Sequence, residues 1–526
     1  MISRQITDLI KEHVADIPVQ HEISFIQDPK FGDYSSNIAF LLAKIENRAA
    51  TDIANELKDK LSKYPIFSNV SVAGRGFINF TLARDFLISQ ISAADQNDFG
   101  KVNIGNQEKI LVEYISANPT GPLNVVQARA GAFGNALVNL LRYVNYDAVS
   151  EYYINNTGTQ IEMLYESLLA RINEFNDKPS LIPENGYHGL YLKELARQIL
   201  DNKIPQDQWQ NYLLETIIAR QKDTINKFGL HFDNFVREST FIPRREQVLE
   251  KLKSYTYRKD GALWFKSTDF KDSEDRVIIT ANGRPTYILS DLAYHWDKFD
   301  RGFTTLINIW GPDHHGYIAR MHGGIKVLGF NPERLIVIIA QQVTLLRNKE
   351  KIVMSKRAGE FITLEEVMNE IGPDALKFFL LMRRPSQHLE FDLALAQKTS
   401  QENPVYYVQY AYARINSIIK NALEKNLSES TKPDLTILES DTEQALIKMI
   451  IHFPDLIAAS AKHFEPHHLI YYLIQLATAF HAFYEKVRVI TDDATETQAR
   501  LYLCQCTQKV IQNALSILGV SAPEKM

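Results

Sequence analysis

Cysteine is nearly absent from these 526 residues. Only Cys504 and Cys506 occur, and side chains two apart on a helix diverge, so neither a disulfide framework nor a metal knuckle is expected. Long apolar runs are also missing. The opening Met1-Ile-Ser-Arg-Gln-Ile-Thr-Asp-Leu-Ile10 is a short amphipathic stretch broken by charges, so no signal peptide or membrane span is expected and the chain reads as cytoplasmic. A surplus of positive charge is lacking too: 58 Lys and Arg against 63 Asp and Glu give a formal charge of -5. That excludes indiscriminate nucleic-acid binding through overall charge, though not a local basic path. His314 and His315 are adjacent, so their side chains point apart, and no Cys or third His stands nearby at metal-ligand spacing. No metal held by protein ligands is expected.

What is present suits a large enzyme. The length predicts three or four domains, and 45% hydrophobic residues suffice for real cores. Residues 1–105 combine helix-period segments (Ile2, Ile6, Leu9, Ile10) with the alternating stretch Val70-Ser-Val-Ala-Gly-Arg-Gly-Phe-Ile-Asn-Phe-Thr-Leu82, whose Gly74 and Gly76 mark a turn. The spacing predicts an α+β N-terminal domain, with the polar stretch 95–107 as its linker. From 108 to 373 apolar strands alternate with amphipathic helices, predicting an α/β domain with a doubly wound parallel sheet. A helical, charge-rich insertion is expected near 160–270. From 374 to 526 the pattern is helical, predicting an all-α domain.

Residues 113–131 carry the most functional information. An apolar strand (Ile110, Leu111, Val112) runs through a Pro/Gly turn (Pro119, Gly121, Pro122) into an apolar-periodic helix (Val125, Ala128, Ala132, Ala136, Leu140). Such a corner is expected to put free backbone N–H groups and a positive helix end at the carboxyl edge of a sheet, where nucleotide phosphates bind. Further on, Val353-Met-Ser-Lys-Arg-Ala-Gly359 sets Lys356 beside Arg357 on a glycine-bounded loop. Two adjacent cations there can neutralise triphosphate oxygens as they separate, each charge-assisted bond contributing roughly 1.5–3 kcal/mol. Tyr287 and Asp291, four apart, share one side of a helix if the segment is helical. Trp310-Gly-Pro-Asp-His-His-Gly316 follows an apolar strand and emerges at the same sheet edge as the first corner.

In order, these segments resemble the arginyl-tRNA synthetases of the class I aminoacyl-tRNA synthetases. Ser116-Ala-Asn-Pro-Thr-Gly-Pro122 is similar to that family's first-signature lead, but Asn124 and Gln127 stand where it has two histidines, and Val126 replaces its glycine. The 353–359 segment resembles the second signature, Lys-Met-Ser-Lys-Ser, with Val353 for the first lysine and Lys356 for the second. Tyr152-Tyr-Ile-Asn-Asn-Thr-Gly158 with Gln160, Gly186-Tyr-His-Gly-Leu-Tyr191 and Gly229-Leu-His-Phe-Asp233 fall where the family has similar strings. Phe31-Gly-Asp-Tyr-Ser-Ser-Asn37 and Gly76-Phe-Ile-Asn-Phe80 resemble its tRNA-touching N-terminal domain. Asp374-Ala-Leu-Lys377 is similar to the Asp-Ala-Leu-Arg string of its anticodon-binding domain.

The resemblance implies a Rossmann-like catalytic domain that makes arginyl-adenylate from arginine and ATP, with Mg²⁺ accompanying the ATP, and then charges tRNA. It implies an arginine pocket of Glu113, Ser116, Asn118, Tyr287, Asp291 and Asp313. Pro119, Thr120, Gly121, Pro122, Asn124, Gln127, Met354, Ser355 and Lys356 would bind ATP, and Asn124, Gln127, Lys356 and Arg357 would be the catalytic set. Many family members need tRNA bound before they activate the amino acid. A pocket for a guanidinium needs carboxylate and carbonyl or phenol acceptors, and several acids in one cavity suit a neutral ligand poorly.

Tyr406, Tyr407, Gln409, Tyr410 and Arg414 are candidates for tRNA contact, because rings can stack splayed bases. A helical aromatic stripe is more often core, so at least half of these rings are expected to pack. The protein is expected to be a monomer. Two rivals stand beside this reading. One is an inactive synthetase-like protein that holds tRNA or senses arginine, with Asn124 and Gln127 as the scars. The other is a class I ligase that adenylates an acid for a small acceptor. The retained Lys356 and acidic residues argue against the first, and the long helical C-terminus argues against the second.

Overall fold

The computed structural model describes residues 1–14, 18, 21–352, 362–425, 427 and 433–526. The 353–359 segment, with Met354, Ser355, Lys356 and Arg357, lies outside the described residues.

At the centre is a five-stranded sheet. Its strands lie in the order Leu335–Ile339, Thr305–Trp310, Lys109–Glu113, Asp147–Ile154, Asn234–Arg237, and every neighbouring pair is parallel. Numbered along the chain, the order is 5-4-1-2-3. Winding reverses between Lys109–Glu113 and Thr305–Trp310, and in open α/β sheets ligands bind beyond the carboxyl ends of the strands at that reversal. The strands are apolar because they are covered: Ile110, Leu111, Val112, Leu306 and Ile307 are all buried. The helix Val125–Tyr143 crosses back over the sheet. It packs close because Gly134 faces the ring of Tyr114, where a Cβ would come within 2.2 Å.

The N-terminal domain is α+β: strands Ile23–Phe25, Tyr34–Ser36, Phe77–Leu82 and Phe67–Ala73, in that spatial order and all antiparallel, lie with helices Ile2–Lys11, Ile38–Glu46 and Ala50–Leu61. Its hairpin turns at Gly74 and Gly76, as the alternation predicts. Tyr34 Oη and Ser3 Oγ donate to the Asp455 carboxylate at 2.9 and 2.6 Å, and Lys448 pairs with Asp33 at 2.7 Å. This domain is thereby tied to the C-terminal helices Pro404–Glu424, Asp441–Lys462, His468–Lys486 and Ala494–Leu518. Cys504 and Cys506 are free and buried in the last of them.

Two departures from the sequence pattern matter for the site. The 160–270 stretch is helical over Thr159–Phe175, Leu190–Asp201, Trp209–Lys227 and Arg245–Leu252, but Asn234–Arg237 rejoins the main sheet and 256–279 forms a small antiparallel sheet. These strands are only four residues each, too short for a period to separate them from loop. The stretch after 374 is not purely helical either. Leu389–Asp392 pairs parallel with Val343–Arg347, because its buried Leu389 and Phe391 complete an apolar face. No helix among the described residues is long and apolar enough to cross a membrane.

Candidate active site

A cavity of about 560 Å³ opens at the winding reversal, lined by the segments that follow Lys109–Glu113 and Thr305–Trp310 and by the first turns of the helix Tyr287–Asp300. Its wall includes Glu113, Ser116, Asn118, Gln127, Tyr287 and Asp291. These residues lie far apart in sequence and converge because both strands end at the same edge.

The chain enters the cavity through a strained step. Ile115 and Ser116 both have positive φ, 67° and 43°, a conformation uncommon for any residue but glycine and one that the β-branched Ile115 adopts only under surrounding constraint. The constraint is visible: Ser116 Oγ donates to Glu113 Oε1 at 2.8 Å and accepts from Tyr153 N at 3.3 Å. The following turn is braced by the helical insertion. Gln221 Nε2 donates to the carbonyls of Asn118 and Gly121 at 3.1 and 2.8 Å, Tyr191 Oη donates to the Thr120 carbonyl, and Asn155 Nδ2 donates to Asn118 Oδ1 at 2.8 Å.

The helix start differs from the expected row of free N–H groups. Asn124 Oδ1 accepts from the backbone of Val126 and Gln127 at 3.0 and 3.2 Å, while Gln127 Oε1 accepts from Asn124 N at 2.8 Å. Asn and Gln three apart close this reciprocal box because each carbonyl oxygen reaches the other residue's N–H. The first-turn donors of Val126 and Gln127 are therefore already used. The side-chain amides of Asn124 and Gln127 have no partner among the described residues and remain as donors.

The cavity floor is ionic. Lys298, fully buried, donates to Glu113 Oε2 at 2.6 Å. Arg301 meets Glu151 through two bonds of 2.6 and 2.8 Å, and Tyr294 Oη donates to the same carboxylate at 2.7 Å. Burial alone would raise the Glu151 carboxyl, but Arg301 and Lys298 overcome it and hold it below the usual carboxylate range. Arg245 pairs with Glu238 at 3.0 Å. Each of these acids thus has its own cation.

Asp291 is different. It forms no ion pair among the described residues; its one side-chain donor there is Tyr317, whose O–H reaches Oδ2 at 2.6 Å. Burial pushes its carboxyl up to about 7 against that hydrogen bond, and the negative charges of Glu113 and Glu238 push the same way. Beside it Glu238 Oε2 and the Tyr153 hydroxyl are buried with no hydrogen-bond partner among the described residues. Burial, with Asp291, Glu238 and Glu113 nearby, raises the Tyr153 phenol well above its ordinary value, so it stays neutral. One carboxylate without a cation, next to two unsatisfied oxygens, makes a socket for a positive group rich in donors.

Not every expected residue reaches the cavity. Asp313 is exposed on the turn Pro312–Tyr317 and is not part of the wall; His314 and Tyr317 from the same turn are. A short turn points successive side chains different ways, so a match off by one residue misplaces the acid. Pro119, Thr120, Gly121, Pro122 and Asn124 lie beside the cavity rather than in its wall. Tyr287 is 58% exposed, at the mouth. Glu238 and Tyr153 are wall residues for which the sequence offers little signal. Tyr153 falls in the quoted 152–158 string, and Glu238 in no motif.

On the helix Pro404–Glu424, Tyr412 is buried while Tyr406, Tyr407 and Tyr410 are half-buried. Tyr406 and Tyr410 stack at 6.1 Å, and the Arg414 guanidinium lies 5.0 Å from the ring centres of both Tyr410 and Tyr484. Gln409 Nε2 donates to the Ser521 carbonyl at 2.9 Å. Tyr407 and Tyr410 also meet the His481 ring at 4.7 and 5.9 Å, so much of their ring surface is taken up in packing.

Comparison with known proteins agrees along the whole chain. Residues 2–82 match the arginyl tRNA synthetase N terminal domain, 88–380 the class I (R) tRNA synthetase catalytic domain, and 408–526 the DALR anticodon binding domain. An arginine–tRNA ligase of Syntrophotalea carbinolica is 42% identical over 514 residues, 94% of this chain and 93% of that one. One from Staphylococcus carnosus is 40% identical over 535 residues, covering 98% and 96%. The Thermus thermophilus arginyl-tRNA synthetase structure covers 100% of both chains with a TM-score of 0.81 at 21% identity, a likeness of fold.

Proposed function

The chain belongs to the arginyl-tRNA synthetases and is an arginine–tRNA ligase, and from that premise we propose how its cavity does the work. The side chain of arginine enters toward Asp291, whose carboxylate forms no ion pair among the described residues; that single observation carries the assignment. A guanidinium offers five donors in one plane and never deprotonates, so it can meet Asp291 and the free oxygens of Glu238 and Tyr153 together. Tyr287 closes the mouth. Ser116 and Asn118 face the substrate's ammonium and carboxylate. Glu113, already paired to Lys298, supplies a neutralised wall there instead of a bare charge.

ATP fits along the braced turn 118–122 beside the start of the helix Val125–Tyr143, which puts its α-phosphate next to the substrate carboxylate. A carboxylate oxygen of arginine attacks the α-phosphorus in line, the bond to pyrophosphate breaks, and arginyl-adenylate forms. The 2′- or 3′-hydroxyl of the terminal tRNA ribose then attacks the adenylate carbonyl, and AMP leaves. No protein nucleophile is needed, so catalysis is positioning plus charge stabilisation. Gln127 and Asn124 donate amide hydrogen bonds to phosphate oxygens, Lys356 and Arg357 carry the opposing charge, and Mg²⁺ accompanying the ATP would be held chiefly by the phosphates. Tyr406, Tyr407 and Tyr410, with Arg414, present stacking faces to the tRNA anticodon loop. A cytoplasmic monomer is part of the same reading.

Charging of total tRNA with arginine, ATP and Mg²⁺, beside lysine and glutamine controls, tests this. Incorporation of arginine alone is expected. tRNA binding without charging would favour the inactive tRNA-holding alternative.

A further inference from the structure

A chain of buried polar groups runs from Lys298 into the cavity wall, where His295 and Asn308 are lining residues. Lys298 sends one N–H to Glu113 at 2.6 Å and another to Asn308 Oδ1 at 3.4 Å, and its ammonium lies 4.0 Å from the centre of the Tyr294 ring. Asn308 Nδ2 and His295 Nε2 are 2.9 Å apart, and His295 Nδ1 is 2.7 Å from the main-chain carbonyl of Asp291. Lys298 and Asn308 are fully buried, and His295 is 2% exposed.

The directions of these bonds follow from one charge. An ammonium beside the Asn308 amide accepts only its oxygen as neighbour, since the NH₂ end would bring donors against donors. With Oδ1 held, Nδ2 points at His295 and donates, so Nε2 must be the unprotonated nitrogen and Nδ1 carries the proton. Burial and the nearby Lys298 charge push the His295 imidazole well below its ordinary pKa, so it stays neutral and this tautomer persists. Nδ1–H then has one acceptor, the carbonyl of Asp291. In the other direction Lys298 fixes Glu113, whose second oxygen takes Ser116 Oγ and holds the left-handed turn at Ile115 and Ser116.

We propose that Lys298 is a positioning residue for arginine: through Glu113 it sets the turn at the amino and carboxyl end of the cavity, and through Asn308 and His295 it sets the helical turn that bears Asp291. Both ends of the substrate site are thereby registered to one buried ammonium. The inference rests on the cavity's being the arginine site. Lys298 is not in the cavity wall, so its influence passes through other residues.

Arginine-dependent pyrophosphate exchange with saturating tRNA and ATP reads this directly. Lys298→Met is expected to raise the arginine KM at least tenfold while kcat and the ATP KM stay within about threefold. It also removes the cation that opposes Glu113 and Glu238 in setting the acidity of Asp291, with Tyr317 unchanged. The fall of arginine kcat/KM on acidification should therefore begin at higher pH than in the parent, a shift that loosened packing does not produce. Asn308→Leu, which keeps the Lys298–Glu113 pair but cuts the route to Asp291, is expected to raise arginine KM about fivefold. If Lys298→Met does not fold because Glu113 is left unpaired, Lys298→Met with Glu113→Gln is compared with Glu113→Gln alone, and the added rise in arginine KM is expected to persist. An arginine KM within twofold of its reference in the folded Lys298 variant overturns the proposal. A parent protein that shows no exchange with arginine overturns the cavity assignment instead, which separates the two failures.

Discussion

The two sides of the sheet edge are built on opposite principles. On the amino-acid side three deep carboxylates are matched to cations (Glu113 to Lys298, Glu151 to Arg301, Glu238 to Arg245), and a fourth, Asp291, forms no ion pair among the described residues. On the nucleotide side the described groups are neutral. Asn124 and Gln127 spend their carbonyl oxygens capping the helix Val125–Tyr143 and keep only amide donors for a ligand. On the proposed reading, the difference teaches that selectivity for the amino acid is an electrostatic vacancy prepared before binding, whereas charge for the phosphates is assigned to Lys356 and Arg357.

The nucleotide side offers the harshest way to break that contrast. Lys356→Ala should lower adenylate formation by about 10²–10³-fold, the usual size of losing one donor to developing charge, with tRNA binding by filter retention nearly unchanged. Unaltered exchange would mean that the neutral amides suffice and that the contrast is false. Asp291→Asn comes next. Losing charge-assisted bonds of about 1.5–3 kcal/mol should raise the arginine KM by about 10–150-fold, while the ATP KM hardly moves.

Acidity sharpens the same comparison. Asp291 titrates near 7 when the cavity is empty, raised by burial and by Glu113 and Glu238, and only its ionised form pairs with a guanidinium. Arginine kcat/KM should therefore fall about tenfold per unit as pH drops below about 7, and Asp291→Asn should flatten that limb. The sign is opposite for the ligand-free fold. A carboxyl raised above its unfolded value stabilises most below the unfolded pKa near 4 and loses that stability as pH rises toward 7. Added arginine should accordingly raise the melting temperature more at pH 8 than at pH 6.

Gln127→Ala, which opens one half of the capping box, should cost about 0.5–2 kcal/mol of stability and reduce exchange about tenfold or less. Smaller and more local, Tyr410→Ala should weaken tRNA by the roughly 1–3 kcal/mol of one stacked base at most, read as a higher tRNA KM at constant arginine KM. An equal rise for arginine would place that ring in packing between domains rather than against RNA.

Much of this was legible in the chain. The strand, turn and helix at 109–143 follow from apolar spacing and two prolines, and Tyr287 and Asp291 share a helix face as their spacing implies. The acids' partners were not legible, because Glu113 finds Lys298 185 residues away and Glu151 finds Arg301 150 away; no periodic pattern encodes such pairs. Which acid lacks a cation among the described residues, the fact on which the proposed socket at Asp291 rests, therefore appears only in three dimensions. Asn124 and Gln127 carried a capping-box signal in their spacing, yet they read first as replaced histidines. Asp313 lies outside the cavity wall for a local reason, since it is exposed on a 3₁₀ turn. The strand Leu389–Asp392 was too short to announce itself beside the helices that follow.

The most direct test is pyrophosphate exchange by the parent protein and by Asp291→Asn with arginine and with citrulline, which keeps arginine's shape but has no charge. The account predicts that the parent prefers arginine by at least about 100-fold and that Asp291→Asn loses most of that preference through arginine alone. An Asp291→Asn protein that still prefers arginine as strongly as the parent would contradict it.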